Sequence, residues 1–306
     1  MKNVSLRQLR AFAAVARTGS VTQAAGQLNV SPPAVTLQMK LLQDQLGVPL
    51  IERSGSGMVP THAGRVVQDM VRRIETILSD AAGEIAALAG SESGTVQVGV
   101  VSTAKYFAPR ALAAFVRAHP QIELRLAVGN RADIVRGLRE HDLDLAVMGR
   151  PPEGLDVVLA QIGDHPHVVV LPSGHRLAGL RGVQPAALAG ETFLVREPGS
   201  GTRTLMERFF AESGIAPRIG MEIGSNETVK QGVMAGLGVT FLSAHTIDME
   251  VQVGRLVIAD VAGLPIVRQW FVVSLRGRRL MPAAEKLCRF FAEQGRLFLP
   301  ILPGAA

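Results

Sequence analysis

The side chains best placed to do chemistry lie in three short junctions where an apolar run gives way to an amphipathic one. They are Ser102-Thr103-Ala104-Lys105, Glu197-Pro198-Gly199-Ser200-Gly201-Thr202-Arg203 and Ser225-Asn226-Glu227. Each reads as the turn from a strand into a helix, with Asn226 as the N-cap of the third. Hydroxyls, free backbone N–H groups and the positive end of a helix dipole all favour an anion at such a turn. Lys105, Arg150 and Arg203 add charge-assisted donors suited to a phosphate or a carboxylate. Routine capping accounts for any one junction, but three converging on one cleft would make a binding site. The residues expected there are Ser102, Thr103, Lys105 and Arg150, together with Glu197, Ser200, Thr202, Arg203 and Asn226.

Catalytic patterns are missing by contrast. No Gly-x-Ser-x-Gly elbow occurs, and no carboxylate pair stands out by spacing. His165-Pro166-His167 is the only close histidine pair, placed at the entrance of a strand without a cysteine or further histidine nearby in sequence. Gly199-Ser200-Gly201 extends neither to Gly-x-Gly-x-x-Gly nor to a P-loop. Neither an enzyme nor a metal site is expected, and no cofactor; the expected ligand is a small anionic metabolite.

A second stretch, Thr22–Gly47, has the form of a nucleic-acid reader. Its first helix runs from Thr22 to about Leu28, with Ala24, Ala25 and Leu28 apolar. Ser31 is an N-cap, and Pro32 and Pro33 fill the first turn of the next helix, where a missing N–H costs nothing. That helix buries Val35, Met39, Leu42 and Leu46 on one face and ends at Gly47. Its other face presents Pro33, Thr36, Leu37, Lys40 and Leu41. A helix pair of this kind fits a DNA major groove, where Leu37 can touch a thymine methyl. Ser31, Pro32, Pro33, Thr36, Leu37, Gln38 and Lys40 are its candidate DNA contacts.

These residues need supports. Leu6–Thr18, capped by Ser5, supplies a preceding helix, and two short apolar runs around Ser54-Gly55-Ser56-Gly57 supply a hairpin. A hairpin in this position is a wing, and Arg53 at its base can reach a phosphate. Residues 1–60 carry Lys2, Arg7, Arg10, Arg17, Lys40 and Arg53 against Asp44 and Glu52, a net +4 suited to a polyanion. From Thr61 to about Ala89, Val67, Val71, Ile74, Leu78, Ala81, Ile85 and Leu88 recur at four-three spacing. That pattern predicts a long helix, about 40 Å at ~1.5 Å per residue, pairing with its copy in a second subunit. A homodimer is the form that a palindromic operator demands. Gly90-Ser91-Glu92-Ser93-Gly94 then reads as a hinge.

Beyond Gly94, apolar strands alternate with helices. Strands are expected at Thr95–Val101, Ile122–Val128 and Leu143–Met148, with helices at Tyr106–Ala118 and Asp133–Glu140. A second series has strands near Val168–Leu171, Phe193–Arg196, Ile219–Ile223 and Val239–Ser243, and then Trp270–Ser274 and a last helix at Ala283–Gly295. Such alternation implies α/β architecture with largely parallel, doubly wound sheets. Links at Gly149–Pro152 and near Pro265–Gln269 suggest two subdomains with a ligand cleft between them. The expected organisation is therefore multi-domain: an all-α winged helix-turn-helix domain (1–60), a linker helix (61–90) and an α/β effector domain (91–306). Subdomain I would hold about 94–150 and 268–306, and subdomain II about 151–267.

The totals agree with this. A chain of 306 residues with 47% apolar content can bury two or three cores. No apolar run reaches membrane-spanning length, and Met1-Lys2-Asn3 leads into an amphipathic helix rather than a signal peptide. The single cysteine, Cys288, sits among Leu287, Phe290 and Phe291 as a packing residue, and a cytoplasmic location is expected.

LRQLRAFAAVARTGSVTQAAGQLNVSPPAVTLQMKLLQDQLGVPLIER, followed by THAG, resembles the N-terminal domain of LysR-type transcriptional regulators. Within that pattern Pro32 replaces a usual Gln, Ile51 a usual Phe and Gln43 a common Glu, so Pro32 removes a hydrogen bonder where the family reads DNA. The rest of the chain resembles that family's periplasmic-binding-protein-like effector domain. STAKYFAPRALAAF, DLDLAVMGRPPEGLD, LVREPGSGTRTLMERFF and SNETVKQGVMAGLGVTFLS are similar to the CbbR group, regulators of Calvin-cycle CO2-fixation operons. The resemblance implies promoter DNA as partner, a homodimer or homotetramer, and contact with RNA polymerase. It also implies an effector that is a phosphorylated sugar, a phosphorylated acid or a nucleotide.

Overall fold

The computed structural model describes residues 4–55, 57–88 and 93–301, apart from the side chains of 79, 80, 83, 84 and 86–88. The chain divides into two compact units, Met1–Ala82 and Gly83–Ala306. Among the described residues, no helix is long and apolar enough to cross a membrane.

The first unit opens with α1 (Leu6–Thr18), closed at its start by a capping box in which Ser5 and Gln8 bond each other's backbone N–H. Helix α2 (Val21–Leu28) ends at Asn29 in the left-handed region, φ 53°. Helix α3 (Pro32–Leu46) follows at once, with Ser31 at the N-cap and Gly47 in a left-handed C-cap. The Ser31 hydroxyl makes no capping bond. Its usual partners are the second and third N–H groups; Pro33 has none, and Ala34 gives its own to the Ser31 carbonyl at 3.0 Å. Phe12, Val15, Ala24, Val35, Leu42 and Leu50 form the core. Strands β1 (Ile51–Ser54) and β2 (Gly57–Pro60) pair antiparallel as the wing, tied to α1 by Met58 N–H donating to the Gly19 carbonyl at 2.9 Å. Helix α4 (His62–Leu88) is capped by Thr61, whose Oγ1 accepts from Gly64 N–H at 3.0 Å. Gly64 is required there, because a Cβ would fall 2.0 Å from the Leu50 carbonyl oxygen.

The expected seam along α4 needs correcting. Val67 and Val71 are buried, and Ile74 packs beside them, all in the core of their own unit. The two valines have no face left for a second chain, while Ile74 is half-buried. Leu78, Ala81 and Ile85 are exposed, Leu78 at 41% and Ile85 at 68%. The Leu88 side chain and the hinge residues 90–92 lie outside the described residues.

The second unit is built on a sheet containing β3 (Gly94–Val101), β4 (Ile122–Gly129) and β5 (Leu145–Met148), parallel and in the order β5-β3-β4. Helices α5 (Ala108–Ala118) and α6 (Arg131–Arg139) connect them. Two long strands run onward from this sheet: β6 (Val157–Pro172) and, later in the chain, the strand Ile266–Leu275 that pairs with it antiparallel. Beyond the crossing lie β7 (Thr192–Arg196) with α7 (Gly201–Glu212), and β8 (Arg218–Ile223) with α8 (Asn226–Met234). Strand β9 (Thr240–Ser243) follows, then α9 (Asp248–Gln252), β10 (Leu256–Ile258), β11 (Ile266–Leu275) and α10 (Pro282–Gln294).

Three expectations change here. The sheets are mixed rather than largely parallel, because β11, β9 and β10 all run antiparallel to β6. The subdomain boundary at 150/151 moves down the chain: Ile162 is in the first subdomain's core, with Leu155, Val157 and Ala160 packed on it, alongside Val98, Phe115, Trp270 and Phe291. Val169, Phe193, Phe210 and Phe241 fill one face of the second subdomain, and Val168, Val170, Val229 and Leu242 the other. The apolar run at 168–171 is continuous because both faces of β6 are covered. The N-cap of α8 is Ser225, accepting from Thr228 N–H at 3.4 Å, rather than Asn226.

Candidate DNA-reading face and effector cleft

In the first unit, α3 carries Ser31, Pro32, Pro33, Thr36, Leu37 and Lys40 exposed, with Leu37 at 53% and Gln38 half-buried. The Thr36 hydroxyl donates to the Pro32 carbonyl at 3.1 Å and keeps its lone pairs as acceptors. Gln43 accepts from Leu50 N–H at 2.8 Å and fixes the entry to the wing. A groove between α3 and the wing is lined by Thr36, Lys40, Gln43, Glu52 and Arg53 among others. This places the two exposed cations Lys40 and Arg53 along one channel beside a single acid.

In the second unit a cleft enclosing about 460 Å³, counting its open mouth, lies across the carboxyl ends of β3 and β5 and the starts of α6 and α7. Ser102 and Thr103 follow β3, Asn130 and Arg131 open α6, and Gly149 and Arg150 follow β5. Ser200, Gly201 and Thr202 open α7, and His165, His167 and Arg268 come from the crossing strands. Of the nine residues expected from the sequence, Ser102, Thr103, Arg150, Ser200 and Thr202 line this cleft.

The other four do not line it. Lys105 sits 3.6 Å from Glu227, whose carboxylate also accepts from the Tyr106 hydroxyl at 2.6 Å. Arg203 turns away to Glu207 at 2.8 Å, to Glu222 and to the Arg196 carbonyl at 3.0 Å. Glu197 and Asn226 instead serve Arg196, a guanidinium only 2% exposed that the sequence did not single out. Glu197 accepts from two of its nitrogens at 2.8 and 2.9 Å, Asn226 Oδ1 from a third, and Ser102 Oγ from Nη2 at 3.2 Å. Asn226 Nδ2 donates to the Ser102 carbonyl at 3.3 Å. Arg196 therefore ties the Ser102 loop of the first subdomain to α8 of the second.

The cleft's charge is nearly all positive. Arg131 donates to the carbonyls of Arg150 and Pro151, the latter at 2.8 Å, and so shapes the loop after β5. Arg150 pairs with Glu153, the cleft's nearby carboxylate. The Arg268 guanidinium has no hydrogen bond or ion pair among the described residues. Burial, and then the neighbouring guanidinium of Arg150, hold Arg131 below its ordinary value; burial, then Arg150, Arg208 and Arg131, do the same to Arg268. Both stay charged, so the cleft gathers mutually repelling cations beside two helix N-termini. Such a site favours an anion. Among the described residues no group of three histidine, cysteine or acidic side chains is arranged to hold a metal.

A winged helix-turn-helix unit and a two-lobed unit with a cationic cleft are the parts of a ligand-responsive transcription factor. The model of the bacterial regulatory helix-turn-helix protein, lysR family, matches residues 6–65, and that of the LysR substrate binding domain matches residues 89–296. The chain belongs to the LysR family of transcriptional regulators. Its relatives then narrow the comparison. It is 55% identical over 302 residues to the HTH-type transcriptional regulator CbbR of Xanthobacter flavus, covering 98% of this chain and 91% of that one. It is 47% identical over 288 residues to the RuBisCO operon transcriptional regulator of Allochromatium vinosum, covering 94% and 95%. The CcmR regulatory domain of Synechocystis PCC6803, solved in complex with 2-PG, is 35% identical with a TM-score of 0.64, covering 65% of this chain and 96% of that one. These relatives are named as regulators, and the chain is a LysR-type regulator with an effector-binding domain, not an enzyme.

Proposed function

We propose that this chain regulates CO2-fixation operons in the cytoplasm, acting on promoter DNA under the control of a small phosphate- or carboxylate-bearing effector. The observation that carries the effector class is the grouping of Arg131, Arg150 and Arg268 beside the N-termini of α6 and α7. The likeness to CbbR and to a RuBisCO operon regulator supports the target, and the 2-PG held by CcmR supports a small acidic ligand. Pro32, Pro33, Thr36, Leu37, Gln38 and Lys40 would enter a major groove, with Ser31 and Arg53 on phosphates. The exposed part of α4, including Leu78 and Ile85, would pair with a second copy, and a pair of dimers would span a long operator for RNA polymerase to meet.

The mechanism is a coupling of two equilibria. An anion bridging residues of both subdomains favours the closed cleft, and closure changes the surface each effector domain offers its neighbours in the oligomer. That change alters the angle between DNA-reading heads and so the DNA bend. The test is to titrate 2-PG and other phosphorylated acids into the full-length protein by calorimetry. The footprint on the promoter region beside its own gene is then followed with each ligand that binds. A ligand that binds and shortens or shifts the footprint is the expected result. Binding that never changes the footprint would refute the coupling, and no binding at all would refute the effector class.

A further inference from the structure

Beside the guanidiniums, the cleft holds a polar group that has no work in the fold. His165 is 4% exposed, lines the cleft, and neither of its ring nitrogens has a hydrogen-bond partner or solvent access. A buried imidazole in that condition is unusual, because nearly all buried polar groups are paired. Its ring is nonetheless tightly placed. It stacks on Trp270 with centroids 3.7 Å apart and planes 18° apart, and leans on His167 at 4.1 Å. Trp270 is held in turn by its Nε1–H donating to His245 Nδ1 at 3.1 Å. His165 is also the register partner of Arg268 on the antiparallel strand, so both side chains rise from one face of the crossing.

Gly149 shows which edge of the ring the backbone closes. A Cβ at position 149 would lie 2.3 Å from His165 Nδ1 and 2.8 Å from Cε1, so the Nδ1 edge is pressed against the backbone of the loop after β5. Burial first, then His167, His245 and Arg268, hold the ring well below the ordinary histidine range, so it is neutral at pH 7. A neutral ring among guanidiniums is poorly suited to add a fourth charge, but it can offer one hydrogen bond. We infer that His165 is a specificity-determining residue of the effector cleft: its Nε2, enclosed in this structure, bonds an oxygen of the ligand other than the anionic group held by the arginines once the cleft wall shifts to admit it. The ligand class is then a small phosphate ester with a second oxygen function, a hydroxyl or a carboxyl. Inorganic phosphate alone does not use this contact. The assignment rests on reading the cleft as the effector site.

The test uses the full-length protein, calorimetry with 3-phosphoglycerate and with inorganic phosphate, and melting without ligand. His165→Phe keeps the stacked ring and removes both nitrogens. His165→Gln keeps a polar atom near the Nε2 position, and His165→Asn keeps one near Nδ1. His165→Phe and His165→Asn are expected to weaken 3-phosphoglycerate about tenfold, the worth of one hydrogen bond, while His165→Gln stays within about threefold of wild type. Inorganic phosphate is expected to bind all four proteins alike, and His165→Phe to melt no lower than wild type. A folded His165→Phe that binds 3-phosphoglycerate as wild type does, or equal losses in Gln and Asn, would overturn the assignment. So would a drop in melting temperature without loss of affinity, which marks a structural histidine. If wild type binds neither anion, or Arg268→Met binds both unchanged, the cleft reading itself fails and takes this assignment with it.

Discussion

Taking the protein from pH 7 to pH 5 should weaken the effector-binding unit by about 4 kcal/mol, through the buried histidines His167 and His245. Burial, with Arg268 nearby, brings His167 down to about 3, and burial brings His245 to about 4. His165 is depressed in the same direction. In the unfolded chain each imidazole titrates near 6.5. Between these values the unfolded chain binds protons that the folded chain refuses. The stability is therefore fully present above pH 6.5 and is lost progressively as the pH falls toward the folded values. At pH 5 each group has crossed about 1.5 units of that window, or roughly 2 kcal/mol at 1.36 kcal/mol per unit. His167 and His245 together supply the total, and His165 adds to it. Glu123 and Glu227, whose values are lowered, act only below the ordinary carboxylate range and leave this window alone. The assay is urea unfolding at pH 7, 6 and 5, followed by the fluorescence of Trp270, the only tryptophan in the chain and so a reporter of this unit alone. His167→Gln should flatten the pH dependence by about 2 kcal/mol over the same range. A stability independent of pH between 7 and 5, or a slope unchanged in His167→Gln, would refute the reasoning.

Three further outcomes follow from the two units. Lys40→Ala should weaken binding to promoter and unrelated duplexes about equally and lower the slope of log affinity against log salt by about 1, as measured by fluorescence anisotropy. Leu78→Lys combined with Ile85→Lys should give a monomer in sedimentation experiments while the head melts as before, whereas Val67→Lys, which buries a charge in the head's own core, should unfold it. Tyr106→Phe removes the hydroxyl that reaches Glu227 across the two subdomains at 2.6 Å and should weaken effector binding about fivefold, a loss of roughly 1 kcal/mol, in calorimetry.

What could be read in advance was whatever neighbouring residues decide among themselves. The Ser5 cap, the Pro32-Pro33 helix start, the Gly47 stop, the wing turn and the strand-to-helix junction at Ser200 follow local rules, and the elements formed where those rules put them, whereas the Ser102 junction opens a short 3-10 turn and α5 begins only at Ala108. The residues that escaped reading depend on pairings distant in sequence. Strand β6 stayed hidden before Val168 because Gly163, Pro166 and two histidines interrupt any period, and only the register with β11 makes Arg268 and His165 neighbours. Arg196 and Arg203 are seven residues apart around one junction, and nothing local says that Arg196 ends a strand covered on both faces while Arg203 points to Glu207 and Glu222. The helix α4 shows the same limit most plainly. A four-three repeat states that one face of a helix is covered, but Val67 and Val71 meet it against α4's own head, while Leu78 and Ile85 leave the same face open. Packing onto a core and pairing with a copy ask for nearly the same spacing, 3.6 against 3.5 residues per turn, and a few turns are too short for the difference to accumulate. The change of partner along one uninterrupted pattern is therefore set by where the head ends, which is a property of the folded unit.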